Sequence, residues 1–593
     1  MPKPPILLFL HGVGTGDPED KWRNALDLSL TRIGYPDLSG VTVVAPKYPF
    51  GLRGVDDDEP LPKVTVKTLR GDRAKAHRRE FQRRRTAMEV RLGSDDQGDG
   101  WPLAPRAAPF AARLLQQANN YTKQRKIRAW VLDRALKKLP SSGQVVIVGH
   151  SLGSVIAADL LRRLPPDLEV VGMVTIGSPL AHEALRVGPV RDLLAEPPAN
   201  LAWWVNFRST GDPVPTGRGL STVFPWVLDQ RISESNPIRA HFAATYLNND
   251  SVAAAVGFGL FGSQSTELVV VDKGLEVPLD DVERIGLLAL RYAHLTLDKL
   301  EGDTHDRYAD ALRDTQSNFV QQVKARNESI GRPTPSAIAE LVVDVSDPAS
   351  EVSKPRLPDH LDVEDAVVPL LALAEANIVR PYEISVSKKD QQGALQKLTV
   401  EMELGEIVGE NVFEALETAR KVVKGPVSKL KWAAIGLGSA AVVAATGGLA
   451  LAAAPGLAGA AAVTSALATF GPGGMIGGLL TAGTLMSAGG GSLAVGLAAP
   501  GTTAETVEAV VTAQLAAAVL RERQGLAQDP QTWMSLVELE IEATRELARF
   551  EVVSDESAPS VKELKRKLIT IDLALDYLHE HGLKPGEVEV VIE

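Results

Sequence analysis

The chain has 593 residues, 45% hydrophobic and 23% charged, which is ordinary globular composition on a length too great for one hydrophobic core. A net charge of -11 spread over that length argues against a general nucleic-acid binder, and the absence of cysteine excludes disulfides and thiolate metal sites. The first apolar run, Ile6–Leu10, is too short for the central region of a signal peptide and no small-residue cleavage site follows it. The expectation is a cytoplasmic chain without a signal peptide.

From residue 1 to about 260, short apolar runs alternate with amphipathic stretches. Ile6–Leu10, Val41–Ala45, Gln144–Val148, Val170–Ile176 and Leu201–Phe207 read as buried strands. Their alternation with helical patterns predicts a mostly parallel sheet with helices on both faces. An insertion at about 51–140 interrupts this rhythm. It carries a basic run from Arg70 through Arg78, Arg79, Arg83, Arg84 and Arg85 to Arg91, then a helical pattern over Ala111–Leu139 broken at Lys123–Arg128. Its position and charge make it a candidate lid, or a face that docks on anionic lipid.

The chemistry centres on QVVIVGHSLGSVIAADLL, where a buried strand runs into Gly149-His150-Ser151-Leu152-Gly153 and a helix begins at once. Serine is a poor nucleophile, so its hydroxyl must be held out on a tight turn where a base reaches it. The helix that follows aims its first amides at the site, which makes the amide of Leu152 a candidate oxyanion donor. His11-Gly12-Val13-Gly14, directly after the first strand, is a second glycine turn. An acid and then a histidine should follow the serine in chain order. Asp212 lies just past the strand ending at Phe207, where such sheets place their functional groups, and Asp229 is its competitor. Asp159, Asp167 and Asp192 belong to helices or their exits. His241 comes late and opens a helix; His182 follows the serine too closely, and His294 sits in a helical pattern beyond this region.

Together HGVG, GHSLGS, TIGSPL, WVNFRSTGDPV and AHFAATYL resemble bacterial lipase-like α/β hydrolases, related in pattern to the GPI-inositol-deacylase and class 3 lipase groups. The resemblance covers roughly residues 1–255. It implies an α/β-hydrolase fold, Ser151 as nucleophile, Asp212 as acid, His241 as base and the backbone amides of Val13 and Leu152 as oxyanion hole. His11, Gly12, Gly149 and Gly153 would support the two turns. The implied reaction is acyl transfer on a lipid or other acyl ester, with no cofactor and no metal. Thioesterase, amidase and peptidase chemistry share the same triad and stay open.

Beyond 260 the pattern changes. Residues 265–430 read as α-rich, with Tyr382–Ser387 and Leu398–Glu403 alternating like a pair of strands. From Trp432 to Ala504 there is no Asp, Glu, Lys, Arg or His. Within this Ala/Gly-rich region, 431–504, Trp432–Ala454 is long enough to span a bilayer, and Gly473-x-x-x-Gly477 and Gly474-x-x-x-Gly478 suit close helix contact in lipid. Lys424, Lys429 and Lys431 would anchor its start. The opposing expectation is a soluble helix cluster packed under its neighbours, because alanine is nearly neutral for insertion. Residues 505–593 read as a C-terminal helical domain, with capping boxes at Thr502-x-x-Glu505 and Ser560-x-x-Glu563, a cap at Asp529-Pro530, a stop at Gly582 and a final strand at Glu587–Glu593. The rival to an ester hydrolase is a membrane-inserting or permeabilising effector whose hydrolase region is accessory. Either way a lipid or membrane is the candidate partner, and nucleic acid is not.

Overall fold

The computed structural model describes residues 4–584 apart from 14–18, 56–58, 94–109, 183–189, 210, 213, 216–218, 234–238, 263–276, 346, 358–360 and 424–490. The chain divides into two compact units, one of residues 1–268 with 344–350, the other of residues 269–343 and 351–593.

The first unit is built on a six-stranded, all-parallel sheet ordered β2-β1-β3-β4-β5-β6. The strands are β1 (Ile6–Leu10), β2 (Thr42–Val44), β3 (Ser142–His150), β4 (Asp167–Ile176), β5 (Trp204–Ser209) and β6 (Leu228–Ile232). The central strands are buried on both faces, which is why they read as continuous apolar runs. Successive residues serve opposite cores: Ile6, Leu8 and Leu10 enter one, Leu7 and Phe9 the other. The helices are α1 (Lys21–Arg32), α2 (Gly71–Leu92), α3 (Phe110–Lys123), α4 (Arg125–Leu136), α5 (Leu152–Leu160), the single turn α6 (Val190–Leu193), α7 (Ala243–Leu247) and α8 (Asp250–Phe261). Tyr121 of α3, Val131 of α4 and Val155 of α5 pack on the first face. Trp22 of α1, Tyr246 of α7 and Val256 of α8 pack on the second.

β6 was not anticipated. Leu228, Gln230 and Ile232 point inward, but the charged Asp229 and Arg231 between them leave no apolar run. The strand expected from Leu201 starts at Trp204, and Leu201 itself forms only an isolated bridge to Val170.

The basic run of the insertion folds as α2, which packs against α8. Phe81 meets Trp226 edge-on at 5.3 Å and joins the first core, Met88 joins the second, and Gln230 Nε2 donates to the Gly93 carbonyl. Several of its arginines are paired: Arg78 with Glu196 at the surface, Arg83 and Arg84 with Glu80 on the same helix, while Arg91 lies over the Phe258 ring of α8. Among the basic side chains of α2, Arg73, Lys75 and Arg78 are exposed. The expected break at Lys123–Arg128 falls at Gln124, between α3 and α4, and Arg128 is buried against Asp159. Residues 94–109 of the candidate lid lie outside the described residues.

The second unit is helical wherever regular structure is described, and one core draws on Leu287, Phe319, Leu371, Leu398, Val511 and Ile571. The strand pair expected at Tyr382–Ser387 and Leu398–Glu403 is corrected: 382–387 is irregular, and Leu398 lies in a helix, Lys388–Glu401. Ser387 caps that helix by accepting from Asp390 N, and Ala394, Leu395 and Leu398 bury at helical spacing, so a short alternation lost to a good cap and an apolar stripe. Two caps also move. Thr503, not Thr502, caps the helix Ala504–Arg523, while Thr502 bonds the Gly496 carbonyl. Pro559 starts the helix Pro559–Glu580 two residues before a cap at Ser560 would, so Ala558 takes the cap position and Glu563 instead accepts from Ala504 N. Asp529 caps ahead of Pro530, and Gly582 follows the last helix at φ +67°, both as read.

Most of the charge-free stretch, its Gly-x-x-x-Gly pairs, the three preceding lysines and Glu587–Glu593 lie outside the described residues. The helix Gly491–Ala498 is described, and Lys567 is buried at the end of that helix, donating to the carbonyls of Leu497 (2.9 Å) and Ala499 (2.8 Å). Burial lowers that ammonium to about 8. No helix among the described residues is long and apolar enough to cross a membrane.

Candidate active site

Ser151 stands between the end of β3 and the start of α5, with φ +53° and ψ −123°, a strained conformation for a residue with a β-carbon. The surroundings hold it there. Ser151 N donates to the Ile176 carbonyl at 3.0 Å, and Ser154 Oγ donates to the Ser151 carbonyl at 2.6 Å. After Gly149 and Ser151, Gly153 completes the turn at a place where a β-carbon would lie 1.9 Å from the Leu10 carbonyl oxygen. Only glycine permits α5 to start this close to β1.

His11 and Gly12 bring the end of β1 to the same point. A β-carbon on Gly12 would sit 2.8 Å from Ser151 Cβ, so the chain entering Val13 runs against the serine. Tyr48 stacks on the His11 ring and donates to its carbonyl at 2.6 Å, which fixes this turn. Leu152 is the first residue of α5, so its amide is one of the first-turn donors a helix leaves without an internal partner.

Asp212 and His241 complete the line. His241 Nε2 lies 3.0 Å from Ser151 Oγ, and His241 Nδ1 lies 3.0 and 2.9 Å from the two Asp212 oxygens. With Nδ1 donating to the carboxylate, Nε2 is left to accept the serine proton. All three side chains are buried. Asp212 Oδ1 also accepts from Val214 N at 2.9 Å.

The competing acid is turned elsewhere. Asp229 accepts from Asn206 Nδ2, Leu220 N and Ser221 N, so it ties β5 to the loop before β6. His294 belongs to the second unit and bonds Gln316. His182 sits in the turn after Pro179. The sequence reading missed two neighbours. Tyr246 in α7 donates to Asp212 Oδ2 at 2.8 Å, and His150 Nε2 bonds the His241 carbonyl at 2.7 Å. His150 lies in GHSLGS and Tyr246 in AHFAATYL, and no local pattern marks either as a partner of the pair.

Comparison with protein-family profiles, curated proteins and solved structures found no match for the chain.

His150 gives the site a pH dependence of stability. Burial, reinforced by the adjacent His241, pulls its imidazole down to about 3. An unfolded histidine titrates near 6.5, so between these values only the unfolded chain takes up this proton. The contribution is therefore complete above about pH 6.5 and is lost as pH falls toward 3, reaching about 2 kcal/mol between pH 7 and pH 5. Urea unfolding followed by tryptophan fluorescence should show that loss, and His150→Gln should flatten it; an unchanged slope in the variant would refute the assignment.

Proposed function

We propose that the first unit is a serine ester hydrolase of the α/β-hydrolase type, acting on a lipid or other acyl ester. The reading is carried by one observation: Ser151 Oγ, the His241 ring and the Asp212 carboxylate form an unbroken hydrogen-bonded line at the carboxyl ends of parallel strands. In open parallel sheets that is where ligands and functional groups gather.

The reaction follows from the line. His241 Nε2 removes the Ser151 proton as Oγ adds to the ester carbonyl carbon, while Asp212 holds the ring in the Nδ1–H form and stabilises the imidazolium. The carbonyl oxygen, now carrying the charge, is received by the amides of Val13 and Leu152. Collapse breaks the ester C–O bond, His241 returns its proton to the leaving alcohol, and the acyl group stays on Ser151. Water, deprotonated by the same imidazole, then attacks the acyl-serine and releases the acid.

The test is labelling with a fluorophosphonate probe, with turnover of p-nitrophenyl esters of increasing chain length alongside. The wild type should take up label and hydrolyse the esters, and Ser151→Ala should do neither while keeping its circular dichroism. A folded wild type that takes up no label and turns over no ester of the series overturns the proposal.

A further inference from the structure

We propose that Tyr246 is a positioning residue for the Asp212–His241 pair, its phenol fixing the carboxylate and tempering the pull of that carboxylate on the imidazole. The effect on turnover rests on the hydrolase reading above; the effect on the imidazole does not. Tyr246 is fully buried in α7, five residues after His241. Its oxygen accepts from Ser209 N, at the end of β5, at 2.9 Å. Its own proton is directed to Asp212 Oδ2 at 2.8 Å. That same oxygen is 2.9 Å from His241 Nδ1. One carboxylate oxygen therefore serves two donors, one anchored to the sheet and the other on the base.

Burial, and then the Asp212 charge, holds the phenol well above its ordinary range, so it remains a neutral donor wherever an imidazole titrates. Each hydrogen bond to a carboxylate spreads its charge and weakens its hold on a neighbouring cation. The other titratable groups around the pair are His150 on β3, kept neutral with its ring 5.0 Å from that of His241, and His11 beyond it. Neither approaches Asp212 Oδ2 with a hydrogen bond among the described residues. Removing the Tyr246 hydroxyl thus leaves a carboxylate that favours the imidazolium more strongly and is held less firmly.

In Tyr246→Phe, kcat should fall by roughly tenfold with KM within about twofold, because the loss concerns charge that develops on His241 during reaction. The acid limb of the kcat/KM profile should move to higher pH by about half a unit. A purely structural tyrosine would lower the melting temperature and leave that limb in place. Site-specific replacement of Tyr246 by 3-fluorotyrosine keeps both hydrogen bonds, strengthens the donor and should move the limb to lower pH. This second variant keeps the test intact if Tyr246→Phe folds poorly. NMR titration of the His241 ring reads the same shifts without turnover. A wild type that neither labels nor hydrolyses therefore removes the hydrolase reading alone, and an unmoved His241 titration in both variants overturns the role of Tyr246.

Discussion

Asp212→Asn is expected to lower kcat/KM for ester hydrolysis by about 10⁴-fold, with the fold intact. The loss follows from the direction of every hydrogen bond at that carboxylate. Val214 N donates to Oδ1, Tyr246 OH donates to Oδ2, and His241 Nδ1 lies within 3.0 Å of both. An asparagine offers one oxygen and one NH₂ to three donors. With its oxygen taken by Val214 N or Tyr246 OH, its NH₂ donates to Nδ1 and favours the imidazole that carries its proton on Nε2. That tautomer cannot accept from Ser151. Rates for a short p-nitrophenyl ester would show the loss, and fluorophosphonate labelling should slow in parallel. Asp229→Asn is the comparison: its carboxylate holds Leu220 N and Ser221 N, so it should leave the rate within a fewfold of wild type. If Asp229→Asn is the slower variant, Asp212 is not the acid.

How far the sequence discloses the fold depends on how local each signal is. β1, β3 and β4 were legible because burial on both faces writes itself as an apolar run. β6 was not, because Asp229 and Arg231 alternate with its buried residues and mask it. Ser151 was legible because the strand, the glycine turn and the helix that shape it are contiguous. Asp212 and His241 needed chain order as well, since the three residues meet only after β4 and β5 have been laid beside β3. Tyr246 lies in AHFAATYL, yet a tyrosine in an apolar helix looks the same whether its hydroxyl meets a carboxylate or a backbone carbonyl. The paired strands expected near Tyr382 failed for the converse reason. Alternation over six residues is a weak signal, and the cap at Ser387 with its helical stripe outweighed it.

The basic insertion gives the same lesson with an energetic consequence. Arg128 belongs to an insertion that reads as a lid or a lipid-docking face, but its partner is Asp159, 31 residues on in the helix that follows Ser151. Asp159 accepts from Arg128 Nε at 2.5 Å and Nη2 at 2.6 Å, from Tyr121 OH at 2.9 Å and from Arg163 Nε at 3.3 Å. One carboxylate thus ties α3 and α4 to α5. Asp159→Ala takes from the buried Arg128 guanidinium the carboxylate that holds it, and leaves Arg163 only its bond to the Pro62 carbonyl, which costs about 3–5 kcal/mol. For a unit of this size that lowers the melting temperature by about 6–20 °C. Asp159 lies eight residues along the chain from Ser151, roughly 12 Å at the helical rise, so labelling of Ser151 should persist below the lowered transition. Calorimetry and labelling on the same sample separate the two quantities. A variant that melts within about 2 °C of wild type, or that loses label while folded, would show that the insertion is held to α5 by other contacts, or that this cluster belongs to the chemistry as well as to the fold.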